Sequence, residues 1–167
     1  HQEARRQRQM CIRDSIGCGP GYFARVLQDN HKDLLKYWGY DFSNVCIRRA
    51  GGMIGHDTRF SFINKDVTKV NLGYKKPDEY IMYTAYEFLE HVNDDISVIQ
   101  NLPDNSLFSF SVPNYWEPSH VRVFRSQDDI YQRYGYLFRK LWVKPLYFRR
   151  DDLIVTQFFC FGYTRSL

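Results

Sequence analysis

Three glycines spaced two apart, in Ser15-Ile16-Gly17-Cys18-Gly19-Pro20-Gly21, are the first residues of this 167-residue chain whose spacing could do chemistry. Glycine lets a main chain bend sharply and approach a ligand closely. A helix starting just beyond would turn its unpaired N–H groups towards negative charge. A dinucleotide loop needs G-x-G-x-x-G, and its third glycine would fall on Tyr22. The G-x-G-x-G pattern therefore suits a ligand with no pyrophosphate to wrap. Downstream, Asp41 in Gly39-Tyr40-Asp41-Phe42-Ser43 could accept both hydroxyl protons of a ribose. Its plainer use is to cap the next helix, which Ser43 could do alone.

A second group gathers in Tyr86-Glu87-Phe88-Leu89-Glu90-His91. An imidazole ordinarily titrates near neutrality, so His91 is the candidate general base, with Glu87 orienting a ligand. The alternative for these residues is structural, since carboxylates favour a first helical turn. Glu87, Glu90, His91 and His120 could also assemble around a divalent cation. Tyr115, Trp116, His120 and Phe124 follow a predicted strand, where ligands bind in open α/β sheets. They would form either an aromatic wall for a ring or lipid-like ligand, or the packing of a long loop.

The elements that must position these groups alternate along the chain. Helical spacing of Phe23, Val26, Leu27, Leu34 and Leu35 predicts a helix over 20–37, and a strand follows at 37–42. A helix over 43–50 should stop at Gly51-Gly52. Strands are expected at 60–66 and 80–85, then a helix carrying Ile96, Ile99 and Leu102. Phe108, Phe110 and Val112 alternate with serines as a strand ended by Pro113. A helix over 126–138 precedes strands at 141–148 and 153–163. Such alternation implies right-handed crossovers and a mostly parallel sheet, a Rossmann-like three-layer α/β sandwich. The last two strands, four residues apart, form a hairpin that makes one edge antiparallel.

Charge narrows the partners. The net charge is +4, and residues 1–15 hold a surplus of two, which leaves two for the remainder. That gives no strong case for nucleic acid. The dispersed cations Arg122, Arg125, Arg139, Lys140, Arg149 and Arg150 read as a solvated face. Four cysteines without a C-x-x-C pair or matched spacing argue against a zinc ribbon or disulfide framework and fit a reducing, cytoplasmic setting. No apolar run approaches the roughly 20 residues of a membrane span. No residue pattern specifies an oligomeric state.

The glycine loop in its strand–helix context resembles the first motif of class I S-adenosylmethionine-dependent methyltransferases, of which G-C-G-P-G is a frequent version. Tyr86 to Asp95 resembles the E-x-L-E-H-V-x-D-D segment of a group that includes ubiquinone-biosynthesis O-methyltransferases. Ser111-Val112-Pro113-Asn114 and Ser119-His120-Val121-Arg122 resemble that group's fifth strand and following loop. The resemblance implies a methyltransferase that binds S-adenosyl-L-methionine and methylates a small molecule by in-line displacement. It implies cofactor contacts at Gly17, Cys18, Gly19, Gly21, Asp41, Asp66, Val67 and Tyr86. Acceptor contacts would fall at Tyr115, Trp116, His120 and Phe124. Within the fold, the alternative is a metal-dependent RNA 2′-O-methyltransferase; the weak charge and the surroundings of His120 speak against it, and no metal ligand is assigned. A nicotinamide dehydrogenase is disfavoured by Tyr22.

Ser15 stands where the family carries an acid, with Asp14 one place too early. A non-catalytic cofactor-binding fragment is therefore a further alternative. Met10-Cys11-Ile12-Arg13-Asp14-Ser15 resembles the translation of a sequencing-library adapter. Residues 1–15 are accordingly assigned to a non-native or disordered leading segment, and 16–167 to a core domain incomplete at its amino end.

Overall fold

Each predicted strand has a counterpart in the computed structural model, which describes residues 12–69, 72 and 81–165. The order is β1 (Ile12–Ile16), α1 (Tyr22–Asn30), β2 (Lys36–Asp41), α2 (Asn44–Ile54), β3 (Phe60–Asn64) and β4 (Ile81–Tyr86). Then come α3 (Asp95–Gln100), β5 (Leu107–Pro113), α4 (Gln127–Tyr134), β6 (Phe138–Arg150) and β7 (Leu153–Thr164). Single 3₁₀ turns lie at Val67–Lys69, Leu89–His91 and Gly135–Leu137. Tyr80, expected to open the fourth strand, lies outside the described residues, as do residues 1–11 of the leading segment.

The strands form one seven-stranded sheet in the order β3-β2-β1-β4-β5-β7-β6. It is mostly parallel, and β7 runs antiparallel to β5 and β6. This is the expected Rossmann-like α/β sandwich with an antiparallel carboxyl-terminal strand. The chain divides into two compact units, ending at Thr84 and starting at Ala85.

In the first unit β1 pairs in parallel with β2 and β4, and β2 with β3. Ile12 to Ser15, assigned by sequence to the leading segment, make up most of β1. Ala24 and Leu27 of α1 pack on Leu34, Tyr37, Ile54 and Phe60. Burying each large apolar side chain is worth about 1.5–3 kcal/mol. Two helix boundaries depart from expectation. The first helix ends at Asn30 rather than 37, because Leu34 and Leu35 belong to the approach to β2; Leu34 is buried and Leu35 exposed. The second runs through Gly51-Gly52 to Ile54. Two interior glycines cost about 1 kcal/mol each, and burial of Ala50 and Ile54 offsets this. Gly55, at φ 71°, ends the helix instead, its N–H bonded to the Gly51 carbonyl.

Asp14 is the misfit of β1. It sits opposite Trp38 and Tyr83 in the register, buried, and its Oδ1 finds no partner among the described residues. Burial pushes its carboxyl from 3.8 up to about 7. The folded state therefore holds a proton that the unfolded chain releases above pH ~4. Stability from this group is complete below that pH and is lost as pH rises towards 7. The loss is on the order of 4 kcal/mol. Asp14→Asn should flatten the urea-unfolding stability between pH 5 and 8; an unchanged slope would show that Asp14 is not the source.

The second unit is built on aromatic packing. Phe108 and Phe110 of β5 lie 5.2 Å apart, Phe138 stacks 6.1 Å from Phe110, and Tyr134 meets Phe110 edge-on at 5.4 Å. Ser126 caps α4, its Oγ accepting from the Asp129 N–H at 3.2 Å. The hairpin β6–β7 turns at Asp151-Asp152, and β6 forms the outer edge of the sheet. Among the described residues, no helix is long and apolar enough to cross a membrane, and Cys18, Cys46 and Cys160 are free thiols.

Candidate functional site

The glycine loop joins β1 to α1 as its spacing required. Gly17, Gly19 and Gly21 have φ of 63°, 54° and 94°, a left-handed region that costs a side-chain-bearing residue roughly 1–2 kcal/mol. The Cys18 N–H donates to the Tyr40 carbonyl at 2.9 Å, which pins the loop to the end of β2. Asp41 completes the arrangement. Its Oδ2 accepts from the Gly19 N–H at 2.9 Å and its Oδ1 from the Ser43 N–H at 2.8 Å. The carboxylate thus faces the loop, and Ser43 alone caps α2 through its bond from the Cys46 N–H. Burial and the neighbouring Asp41 push the Cys18 thiol up to about 12, so it is no nucleophile.

Asp66 and Val67 lie just past β3, and Val67 is buried. The Asp66 carboxylate turns back on its own loop: Oδ1 accepts from the Thr68 hydroxyl at 2.7 Å, and Oδ2 meets Lys69 at 3.0 Å. The Thr68 bonds and then Lys69 hold it below the usual carboxylate range.

In the second unit, Glu87 follows β4 with φ 52°. Glutamate seldom occupies that region, and such strain gathers at functional positions. Ser111 holds it there. The Ser111 Oγ accepts from the Glu87 N–H at 3.1 Å and donates to Glu87 Oε1 at 2.9 Å. Gln157 Nε2 donates to the same oxygen. The Tyr86 hydroxyl meets Ser109 at 3.1 Å. Ser111→Ala leaves the Glu87 N–H without its partner and should cost about 1–2 kcal/mol. The midpoint of urea unfolding reports it; an unmoved midpoint makes Ser111 a bystander.

Glu90, His91 and His120 come together, with potential ligand atoms all within 4.8 Å of one another. The two rings meet edge-on at 4.8 Å. His91 Nδ1 bonds the Ser119 carbonyl and His120 Nδ1 the Tyr115 carbonyl, each at 3.1 Å. A carbonyl only accepts, so both Nδ1 atoms carry the proton and both Nε2 lone pairs are free when the rings are neutral. Glu90 is fully buried and neither of its carboxylate oxygens has a hydrogen-bond partner among the described residues, while Oε1 lies 4.0 Å from His91 Nε2. Burial pushes it to about 8.

Tyr115 and Trp116 surround His120 at ring distances of 5.9 and 6.5 Å. Trp116 is 64% exposed and lines a cavity of about 620 Å³ with Asn114, Val123, Arg125 and Asp129. Phe124 is placed elsewhere, buried on Tyr134 at 5.5 Å. Arg122, read as a solvated cation, is instead half of an ion pair with buried Asp95 at 3.2 Å. Sequence reasoning gave no role to Ser111 or Gln157. A serine facing inward on a strand is a faint signal for the first, and nothing local marks the second.

A family model described as a methyltransferase domain matches residues 15–153. No curated protein matches the sequence. Among solved structures, the N-methyltransferase NodS of Bradyrhizobium japonicum, in complex with S-adenosylhomocysteine, is 14% identical with a TM-score of 0.65. The match covers 97% of this chain and 86% of NodS. Magnesium protoporphyrin IX methyltransferase of Synechocystis, with bound S-adenosylmethionine, gives 15% and 0.64, over 98% and 74%. The [4+2]-cyclase SpnF gives 12% and 0.69, over 98% and 80%. At such identities the likeness is one of fold, and it spans more than one activity.

Proposed function

Because the chain belongs to the methyltransferase-domain family, we propose that it transfers a methyl group from S-adenosyl-L-methionine to a small-molecule acceptor by in-line displacement. The observation that carries this is the Gly17-Cys18-Gly19-Pro20-Gly21 loop, left-handed at its three glycines, with the Asp41 carboxylate turned onto it. Such a loop lets the main chain lie against an adenosyl ligand, and Asp41 keeps lone pairs for two ribose hydroxyls. The cofactors bound to NodS and the protoporphyrin methyltransferase support the same ligand here. Asp66 and Val67 would border the adenine, and Tyr86 is a further candidate cofactor contact.

The cofactor supplies a methyl on a positively charged sulfur, and the protein's task is alignment and exclusion of water. Tyr115, Trp116 and His120 would hold the acceptor, while Phe124, buried on Tyr134, would not reach it. For a hydroxyl acceptor, His91 Nε2 takes the proton while Nδ1 stays on Ser119. The bound cofactor would supply its methyl to the acceptor oxygen and would depart as a neutral thioether. Glu87, fixed by Ser111 and Gln157, orients the reacting partners. The weak charge surplus and free thiols favour a small-molecule acceptor in the cytoplasm over RNA.

The Glu90–His91–His120 cluster favours a second reading, in which methyl transfer depends on a divalent cation. Two Nε2 atoms available as ligands and a buried carboxylate without hydrogen-bond partners suit such an ion, and each imidazole is oriented by a carbonyl behind it. RNA 2′-O-methylation is the metal-dependent form of this reading.

Calorimetric titration of the chain with S-adenosylhomocysteine tests the first proposal: saturable binding supports it and none sinks it. Titration with Mn²⁺, followed by electron paramagnetic resonance, tests the second. A bound signal abolished by His120→Ala supports the cation, and a spectrum of free Mn²⁺ throughout removes it.

A further inference from the structure

Arg122 ties two segments of the second unit together. From the loop after β5, its Nη1 donates to the carbonyls of Leu89 and Val92, and its Nη2 to that of Asn93 at 3.0 Å. The same Nη1 lies 3.2 Å from Asp95 Oδ2. The side chain is 15% exposed and that of Asp95 is 0% exposed. Asp95 is itself immobilised, receiving two bonds of 2.7 Å from Arg133 and one of 2.6 Å from the Tyr134 hydroxyl. Around the guanidinium, Val121 N–H donates to the Glu90 carbonyl at 2.8 Å, and His91 Nδ1 to Ser119.

We propose that Arg122 is a positioning residue whose guanidinium, anchored on Asp95, fixes the turn Leu89–Asn93 so that Glu90, His91 and His120 keep one shared face. The physical reason is local. Carbonyls at the end of a one-turn helix have no intrahelical donors, and the three at Leu89, Val92 and Asn93 bracket Glu90 and His91. Only a planar fork of N–H groups reaches three carbonyls and a carboxylate at once. Lysine carries the charge but lacks the fork. Without the strut, the turn retains Val121–Glu90 and His91–Ser119, two single bonds about which it can pivot. His120 keeps its own anchor on Tyr115. The strut therefore controls His91 and Glu90 rather than His120. This inference deepens the function proposed above and rests on the cluster being its working site.

The test uses the full chain with Arg122→Ala and Arg122→Lys, reading the Nδ1 protons of His91 and His120 by ¹H–¹⁵N spectroscopy. In Arg122→Ala the His91 proton should exchange with water about tenfold faster or more, while the His120 proton stays protected. Guanidinium ion at millimolar concentration should restore the His91 signal, and Arg122→Lys should restore it only in part. A folded Arg122→Ala with an unchanged His91 proton overturns the proposal. So does equal loss of both protons, which marks Arg122 as a general stabiliser. If Arg122→Ala does not fold, Arg122→Lys decides: an unchanged His91 proton overturns the strut and faster exchange supports it. Binding of S-adenosylhomocysteine is measured on the same samples. Its absence in the unaltered chain defeats the cofactor reading while the imidazole signals still judge Arg122.

Discussion

Asp95→Ala is expected to lower folding stability by about 3–5 kcal/mol, the usual cost of stripping one partner from a buried charge pair. Asp95 is fully buried and binds Arg133 through both oxygens, the Tyr134 hydroxyl through one, and Arg122 by charge. Arg133 is partly exposed and can turn to water when its partner is removed. Arg122, 15% exposed, and fully buried Tyr134 have less access to water: the first would lose its countercharge, and the second the acceptor of its hydroxyl. For a domain of this size the change corresponds to a fall in melting temperature of about 10 °C. Asp95→Asn keeps the shape and loses the charge, so it should fall between. Thermal melts followed by circular dichroism check this. An alanine variant melting within about 2 °C of the unaltered chain would show that this charge cluster contributes little.

Asp41→Ala is expected to weaken binding of S-adenosylhomocysteine on the order of 100-fold. Hydrogen bonds to a charged group are worth about 1.5–3 kcal/mol each, and a ribose offers two donors to this carboxylate. The same change releases the Gly19 and Ser43 N–H groups, so the loop loses its fixed shape before any ligand arrives. Asp41→Asn retains one acceptor oxygen and should lose about tenfold. Isothermal calorimetry on variants that still melt cooperatively separates affinity from unfolding. Wild-type affinity in both variants would rule Asp41 out as the sugar's partner and remove the main support for the cofactor assignment.

How far the chain could be read in advance depended on how local each constraint was. The loop from Gly17 to Gly21 was legible because left-handed backbone restricts residue type at three positions within five residues. Asp41 was legible by its distance from that loop and its place at a strand end. The alternating Phe108, Phe110 and Val112 marked β5 for the same reason: period two needs no distant partner. Helix ends were less legible. Leu34 and Leu35 continue a helical period by coincidence, and Gly51-Gly52 carry a stop signal that burial of Ala50 and Ile54 overrides. Least legible were side-chain partners far apart in sequence. Gln157 reaches Glu87 across 70 residues, and Arg122 looked like any other cation because the carboxylate that claims it is 27 positions upstream. Orphaned polar groups such as Asp14 Oδ1 and the Glu90 oxygens are invisible in sequence, since only packing shows what fails to meet them.

The outermost position of β6 bears on behaviour in concentrated solution. A thirteen-residue border strand is a template on which another chain's strand can add, the first step towards fibrils. Pro145 interrupts the row of available amides, and Arg139, Lys140, Lys144, Arg149 and Arg150 place like charges along it. Neutralising those cations should therefore make concentrated solutions of the chain more prone to precipitation, with no change in its fold.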